Sequence, residues 1–297
     1  MQKRNVLNSP HLSELKRQRQ KIFFKKILFF VFAFLALFFL FAYISRIDRL
    51  NINAIEVFGN NVIDTEMLKS TTEGELVGNY LWIFPKSNIF FYPKNHIKRT
   101  LSQKFKRLKN VSPSIKERRR LEISVTERDP KYTWCGTTPP ESNNNKGICY
   151  FLDETGYIFD EAPYFSGEVY FKFYGLTQVI TTEGLTPPNT DNPSGSYFSP
   201  DIFIKLIFFK ETLENLKLKP VALYIQENGY IKMYLSGATS SIDPEIILKK
   251  DADFQKIIEN LEVALTTEPL QTDFKKKYSS LLYIDLRFGN KVYYKFR

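Results

Sequence analysis

The longest hydrophobic run in the chain lies near its start. Residues 27–44 (ILFFVFAFLALFFLFAYI) are 18 consecutive uncharged positions, and a helix rising about 1.5 Å per residue over that length crosses most of a ~30 Å hydrocarbon core. Residues 1–26 hold eight Lys or Arg and one Glu, whereas only Arg46 and Arg49 lie just beyond the run. This asymmetry predicts that the N-terminus faces the cytoplasm and that the remainder of the chain is extracytoplasmic.

A cleaved signal peptide is the alternative interpretation of this run. The run is longer than a usual signal-peptide core, however, and no A-x-A cleavage site follows it. We therefore predict a single-pass protein of the cytoplasmic membrane, with a cytoplasmic basic tail over 1–26, a transmembrane helix over 27–45 and a linker over 46–50. Because most of the net charge of +10 lies in the tail, no basic stripe for a phosphate backbone remains, and we expect no nucleic-acid binding.

Beyond the linker, the apolar and polar positions divide into two patterns. Residues 51–129 follow the order strand, helix, helix, strand, strand, which predicts a small module with two helices on one face of a short sheet. Residues 130–297 alternate with period two over most of their length. Two helical stretches interrupt them, the first starting with a cap at Ser199-Pro200, while Thr181 to Ser199 reads as a loop. The predicted fold class is α+β.

The last residues predict a hairpin. Leu282, Ile284, Leu286 and Phe288 alternate with polar residues, Gly289-Asn290 is a turn signal, and a second strand rich in Val, Tyr and Phe follows it. The sequence stops on this strand, so we expect its outer edge to be open.

Two interpretations of that edge stay open. In one, Lys291 and Lys295 guard the strand against pairing, as lysines commonly do at sheet edges. In the other, a partner segment adds to the edge by β-augmentation, with arginine and aromatic side chains as anchors. The second interpretation names these partner-binding residues: Arg287, Phe288, Val292, Tyr293, Tyr294 and Phe296.

The two cysteines flank a loop rich in Pro and Asn. Cys135 and Cys149 both lie on the extracytoplasmic side of the predicted membrane helix, where disulfides persist, so we favour a disulfide that ties the base of this loop. Two free buried thiols are the alternative. A zinc site is excluded because two cysteines with no nearby histidine fall short of four ligands.

The predicted helices of the module carry a group of basic residues on their outer face. This group has two open interpretations: a solvated charged surface, or a contact with anionic lipid headgroups or an acidic partner. It consists of Lys98, Arg99, Lys104, Lys106 and Arg107.

The sequence offers no catalytic constellation. His96 is the one histidine beyond the predicted membrane helix, and no nucleophile lies near it in sequence. No G-x-S-x-G, H-E-x-x-H, Walker or S-x-x-K motif occurs. An ion pair within one strand explains Asp285 and Arg287 better than acid–base catalysis does. We expect no enzymatic activity, no cofactor, no metal and no small-molecule substrate.

Taken together, these features resemble the FtsQ/DivIB family of bacterial division proteins over nearly the whole chain. Three departures from the family pattern are the cysteine pair, a long aromatic segment over 81–94 (LWIFPKSNIFFYPK) and the lack of residues beyond the last strand. The residues that carry the resemblance are Ile52-x-x-Ile55-x-Val57-x-Gly59-Asn60, Leu121-x-Ile123-x-Val125-x-Glu127-Arg128-x-Pro130, Leu152-Asp153-x-x-Gly156-x-x-Phe159 and Ile284-Asp285-Leu286-Arg287-Phe288.

The resemblance implies a POTRA domain over 51–129 and an FtsQ-type β domain over 130–297. It further implies a non-enzymatic scaffold of the divisome at the division septum, which holds FtsB/DivIC-like and FtsL-like membrane proteins and couples early division proteins to septal peptidoglycan synthesis. FtsB/DivIC-type partners would add to the strand after the D-L-R motif. Two other classes of protein stay open as interpretations: a POTRA-containing envelope assembly or secretion protein, and a membrane-anchored cell-wall enzyme.

Overall fold

The structure, a computed structural model, describes residues 10–117, 119–140, 147–181, 184–187, 192–236 and 244–297. It is a mixed α+β fold with one apolar N-terminal helix and a large β-rich sheet, which confirms the predicted class. The chain forms two compact units. Unit 1 comprises Met1–Lys104 and Asn110–Thr126, and unit 2 comprises Phe105–Lys109 and Glu127–Arg297.

The N-terminal helix α1 (Pro10–Ser45) contains the whole apolar run. From Lys16 to Ser45 it is long and apolar enough to cross a membrane, and its large apolar side chains are almost all exposed. Ala42 and Ser45, near its end, are buried. Residues 10–26 of the basic tail and the apolar run therefore form one continuous helix, and the last turns of this helix contact the rest of unit 1.

The remainder of unit 1 is a three-stranded sheet with two helices. The sheet order is β1-β5-β4, with β1 parallel to β5, and α2 packs against both α3 and β1. Asp64 caps α2 by accepting the Glu66 N–H, a role that Asp commonly takes at the start of a helix. A small hairpin, β2–β3, stands between the two helices and was not predicted. The elements are β1 (Ala54–Phe58), α2 (Thr65–Leu76), β2 (Asn79–Tyr80), β3 (Phe84–Pro85), α3 (Lys94–Lys104), β4 (Leu108–Lys116) and β5 (Arg120–Glu127).

Unit 2 is built on a nine-stranded sheet, called the large sheet below. The strand order is β17-β16-β15-β14-β13-β9-β6-β7-β8, and β10, β11 and β12 form a separate small sheet. The elements are β6 (Tyr132–Trp134), β7 (Cys149–Leu152), β8 (Ile158–Ala162), β9 (Lys172–Tyr174), β10 (Thr177–Thr181), β11 (Gly184–Thr186), β12 (Tyr197–Phe198), α4 (Phe203–Asn215), β13 (Pro220–Ile225), β14 (Tyr230–Leu235), β15 (Glu245–Lys249), α5 (Phe254–Thr266), α6 (Leu270–Lys277), β16 (Leu281–Phe288) and β17 (Lys291–Phe296).

The core of unit 2 lies between one face of the large sheet and the helices α4 and α5. Alternate residues of the strands face this core, for example Leu223, Met233 and Ile284, which are fully buried. Phe209 of α4 and Leu261 of α5 are fully buried on the helix side. The period-two alternation in the sequence thus marks a sheet with one face on the core.

Three expectations about unit 2 were wrong. The helix α6 adds to the two predicted helices, because eight residues with little apolar periodicity give a weak signal. The stretch from Thr181 to Ser199 is not simply a loop, since its described residues include β11 and β12. Ser199 does not cap α4: it has a φ of +39°, and the helix begins at Phe203.

Candidate functional site

The C-terminal hairpin forms one end of the large sheet. β16 and β17 pair in the antiparallel sense across Gly289-Asn290, which confirms the predicted hairpin. Gly289 has a φ of +66°, a conformation that glycine adopts without steric cost. Because β17 is the last strand in the sheet order, no described strand pairs with its outer side. An open strand edge is therefore the first candidate for a binding site.

The side chains of β17 divide between the two faces of the sheet. Val292, Tyr294 and Phe296 are partly buried and pack against the core of unit 2, whereas Lys291, Tyr293 and Lys295 are exposed. Of the side chains predicted to bind a partner, those of Val292, Tyr294 and Phe296 thus serve the protein's own core. The backbone groups of these residues are what remains for the outer edge of the strand.

The direction of the backbone groups follows from one hydrogen bond. The Arg297 N–H donates to the Ser280 carbonyl oxygen at 2.9 Å, on the β16 side. Backbone groups alternate between the two sides along a strand, and the register shifts of this pair add residues to β16 rather than to β17. The N–H groups of Val292, Tyr294 and Phe296 therefore face away from β16.

Arg287 and Asp285 form the ion pair that the sequence predicts. The Arg287 Nε donates to Asp285 Oδ1 at 2.9 Å, and its Nη2 donates to Oδ2 at 2.6 Å. The same guanidinium lies 4.7 Å from the ring centroid of Tyr230. Burial raises the pKa of Asp285, but the hydrogen bonds and charge of Arg287 outweigh burial and hold that pKa below its usual value. Arg287 is thus fixed within the protein, and it orders the end of β16.

Two aromatic side chains stand exposed beside the open edge. Phe288 is 54% exposed and Tyr293 is 48% exposed, and their rings meet edge to face with centroids 5.2 Å apart. Large, rigid aromatic side chains of this kind commonly anchor protein interfaces. Phe288 and Tyr293 are therefore the predicted partner-binding side chains that remain accessible.

The other end of the large sheet is closed by the protein itself. The Ile158 N–H of β8 donates to the Ser196 carbonyl oxygen at 2.9 Å, and the Gly195 N–H donates to the Ile158 carbonyl oxygen at 2.7 Å. Further along β8, the Arg107 Nε donates to Asp160 Oδ2 at 2.9 Å. Returning backbone thus covers this edge at Ile158 and a side-chain ion pair lies further along it, as natural proteins commonly arrange.

Two motifs of the family resemblance contact each other within unit 2. The Arg128 guanidinium donates to the buried carboxylate of Asp153 and lies 4.0 Å from the ring centroid of Tyr157. Asp153 Oδ1 also accepts the N–H groups of Thr155 and Tyr157, at 2.8 and 3.1 Å. Both motifs were singled out in the sequence, but nothing in their spacing predicted that they would pair.

The predicted basic group does not lie in one unit. Lys98 and Arg99 are exposed on α3, and the Lys104 Nζ donates to the Thr71 Oγ1 at 3.0 Å, all within unit 1. Lys106 and Arg107 belong to unit 2, where Arg107 is bonded to Asp160. Lys98 and Arg99 are therefore the members best suited to an external contact.

The remaining candidates from the sequence are the cysteine pair, His96 and a metal site. Cys135 and Cys149 form a disulfide that joins the end of β6 to the start of β7, which confirms the predicted pairing. His96 Nε2 lies 2.8 Å from Glu75 Oε2 at the surface of unit 1. The described part of the chain contains no group of three or more His, Cys, Asp or Glu placed to hold a metal ion.

Comparison of the sequence with protein-family models gave no match. Comparison with curated proteins likewise gave no match. The assignment to a family and a function consequently depends on the resemblance of the motifs and on the geometry described above.

Proposed function

We propose that the protein is a membrane-anchored scaffold that captures a partner protein along the outer edge of β17. The observation that carries this proposal is the contrast between the outward N–H groups of Val292, Tyr294 and Phe296 and the closed edge at β8. In a strand, such groups recur about every 6.8 Å, the spacing that an added strand matches. A partner segment would gain main-chain hydrogen bonds along β17 and side-chain contacts with Phe288 and Tyr293.

The proposed biological role is bacterial cell division, by resemblance to the FtsQ/DivIB family. In this role α1 holds the protein in the cytoplasmic membrane with its N-terminus in the cytoplasm, and the two units lie outside. Residues 51–129 act as a POTRA domain, FtsB/DivIC-like and FtsL-like membrane proteins are the partners, and the division septum is the site of action. The protein contributes binding and not catalysis, and it couples early division proteins to septal peptidoglycan synthesis.

Deletion of Lys291–Arg297 tests the docking strand. We expect the truncated protein to insert in the membrane and reach midcell but to lose co-purification of the FtsB/DivIC-like partner from detergent extracts. Phe288→Ala, which leaves the backbone of β17 intact, should weaken the same capture through loss of a side-chain anchor. Normal recovery of the partner with the truncated chain would show that β17 is not the docking strand.

Localisation of a fluorescent fusion separates the division role from the other classes. A midcell band is expected for a divisome scaffold. A uniform envelope signal would instead favour a POTRA-containing envelope assembly or secretion protein and would overturn the division role, while leaving the strand-docking test to stand on its own result.

A further inference from the structure

The segment between α2 and α3 carries an exposed apolar surface that strand docking at β17 does not use. Its hairpin β2–β3 has Leu81 and Trp82 at the tip, 77% and 91% exposed. Phe90, shortly after the hairpin, is 74% exposed. Scattered apolar residues are normal on protein surfaces, but a contiguous apolar group usually marks a contact with a partner or a membrane.

This hairpin packs against the last turns of α1. The rings of Phe84 in β3 and Phe38 in α1 meet edge to face, with their centroids 5.5 Å apart. The Arg46 Nε donates to the Ile83 carbonyl oxygen at 3.2 Å, and the Asn88 Nδ2 donates to the Ser45 carbonyl oxygen at 3.0 Å. Because these contacts join Ile83, Phe84 and Asn88 to the end of α1, the hairpin is held beside the helix.

The position of Phe38 along α1 sets the depth of the hairpin. Residues 27–45 separate Lys26 from Arg46, and a helix of that length is about 28 Å, which leaves no length to spare for a ~30 Å hydrocarbon core. Phe38 stands eight residues before Arg46, or about 12 Å along the helix axis. Any side chain that packs on Phe38 therefore lies at the level of the acyl chains when α1 spans a bilayer.

The turn at the tip also departs from what hairpin folding alone favours. Leu81 and Trp82 have φ angles of +48° and +61°, as in a type I′ turn. Such turns strongly prefer Asn-Gly or similar pairs, because bulky side chains are strained at positive φ. An apolar Leu-Trp pair at this position suits a tip that contacts lipid, since Trp is enriched at the membrane–water interface.

We propose that the hairpin β2–β3, together with Phe90, inserts into the leaflet in which α1 ends. The occupant of this apolar surface is a phospholipid bilayer, at the boundary between headgroups and acyl chains. The insertion gives unit 1 a second attachment to the membrane beside the helix. This inference rests on the membrane anchoring in the proposed function.

Fluorescence of Trp82 in the full-length protein tests the insertion. In a Trp134→Phe variant, Trp82 is the remaining tryptophan of the sequence. In phosphatidylcholine–phosphatidylglycerol vesicles, we expect blue-shifted emission, quenching by lipids brominated near the start of the acyl chain, and protection from aqueous iodide. Red-shifted emission with full iodide quenching and no quenching by brominated lipid would overturn the proposal.

Two reporter variants, built with Trp82→Phe and Trp134→Phe, make the result specific. Phe34→Trp lies within the apolar run of α1 and should be quenched by lipids brominated deep in the acyl chain. Phe58→Trp replaces an exposed side chain of β1 and should respond to iodide alone. If Phe34→Trp is quenched by lipid and Trp82 is not, anchoring stands and hairpin insertion fails. If neither Phe34→Trp nor Trp82 is quenched by lipid, membrane anchoring and hairpin insertion both fail.

A second route covers the case in which Trp134→Phe disturbs the fold, since the Trp134 Nε1 donates to the Gly175 carbonyl oxygen. The emission of the unaltered protein minus that of Trp82→Phe then reports Trp82 alone.

A Leu81→Asn/Trp82→Gly variant, whose tip sequence suits the type I′ turn, keeps the hairpin while removing its apolar tip. We expect it to fold and to leave Phe90 more accessible to water, measured by iodide quenching of a Phe90→Trp reporter. Unchanged protection of that reporter would contradict insertion through the tip.

Discussion

The two ends of the large sheet are built in opposite ways. At β8, a returning segment bonds to Ile158 on both its N–H and its carbonyl oxygen, and Arg107 bonds to Asp160. At β17, a regular strand places alternate N–H groups outward with no described strand beside them. An edge strand is a template for pairing with another chain, which proteins normally prevent. The two edges therefore differ in that returning backbone covers Ile158 of β8, whereas no described strand lies along β17.

The ion pairs near the two ends of the large sheet also differ in how many other groups they bond to. Asp153, near β8, is almost wholly inaccessible and binds Arg128 as part of a hydrogen-bond network. Asp285, on β16, is also buried, but among the described residues its carboxylate bonds to Arg287 alone, and the Arg287 side chain is about one quarter exposed. The network at the closed end stabilises the fold, whereas the pair at the open end orders a short stretch of strand. Substitutions at the two ends should therefore separate stability from partner binding.

The largest expected effect is at the closed end. Asp153→Ala leaves the mostly buried Arg128 without its counter-charge and removes the acceptor of the Thr155 and Tyr157 N–H groups. We expect unit 2 to lose about 3–5 kcal/mol of unfolding free energy. Urea unfolding of a Trp82→Phe background, followed by the fluorescence of Trp134, measures this loss.

Asp160→Ala is the matched control for that experiment. Asp160 also pairs with an arginine near β8, but its side chain is 44% exposed, so the loss should be on the order of 1 kcal/mol or less. An equal effect of the two substitutions would mean that burial does not distinguish these pairs.

The disulfide should contribute to the same end of the sheet. Cys135 and Cys149 are 14 residues apart, and closing a loop of that length stabilises a fold by about 3 kcal/mol or less. A Cys135→Ala/Cys149→Ala variant should unfold at lower urea while it retains partner capture at β17. Labelling of the denatured, unreduced protein with a thiol reagent should find no free cysteine, and two labelled cysteines would refute the bond.

At the open end, a proline should affect binding more than stability. The Val292 N–H faces outward, so Val292→Pro removes a donor offered to a partner and leaves the bonds to β16 in place. Loss of one such bond predicts about tenfold weaker capture of the FtsB/DivIC-like partner, measured by titration in detergent. Val292→Ala is the control, because it removes the same core-facing side chain and keeps the N–H. If alanine weakened capture as much as proline, side-chain packing would be the cause.

The smallest expected effect is a pH dependence at Asp285. Its pKa is lower in the folded protein than in the unfolded chain, so the ion pair stabilises the fold above the unfolded pKa of about 4. That contribution is lost as the pH falls through the lower, folded-state pKa. Asp285→Asn keeps one acceptor oxygen and should therefore cost about 1 kcal/mol at neutral pH, the net value of a lost hydrogen bond, and nothing at pH values below the folded-state pKa. A constant difference between the two proteins at every pH would contradict this assignment.

Local patterns predicted the elements that form the open edge. The alternation from Leu282 to Phe288 and the turn at Gly289-Asn290 specify the hairpin, because strand period and turn chemistry are properties of adjacent residues. The apolar run of α1 and the capping of α2 by Asp64 are local in the same sense. These features needed no knowledge of the rest of the fold.

Long-range pairing was not predictable in this way. Arg128 and Asp153 lie in motifs visible in the sequence, yet their bond depends on how separate strands are brought together. The small strand β12 is defined by its long-range pairing with β10, and two residues give no periodic signal of their own. The register with β16 likewise determines which β17 residues turn their backbone N–H groups outward. It could not be read from the sequence of β17 alone.

Amide hydrogen exchange along β17 tests the central claim most directly. In the protein alone, the amides of Val292, Tyr294 and Phe296 should exchange quickly, whereas that of Tyr293 should be protected by β16. Binding of the FtsB/DivIC-like partner should slow the outward amides and leave that of Ile158, at the closed edge, unchanged. Outward amides that are protected before the partner is added, or that stay unprotected after it binds, would contradict docking along this strand.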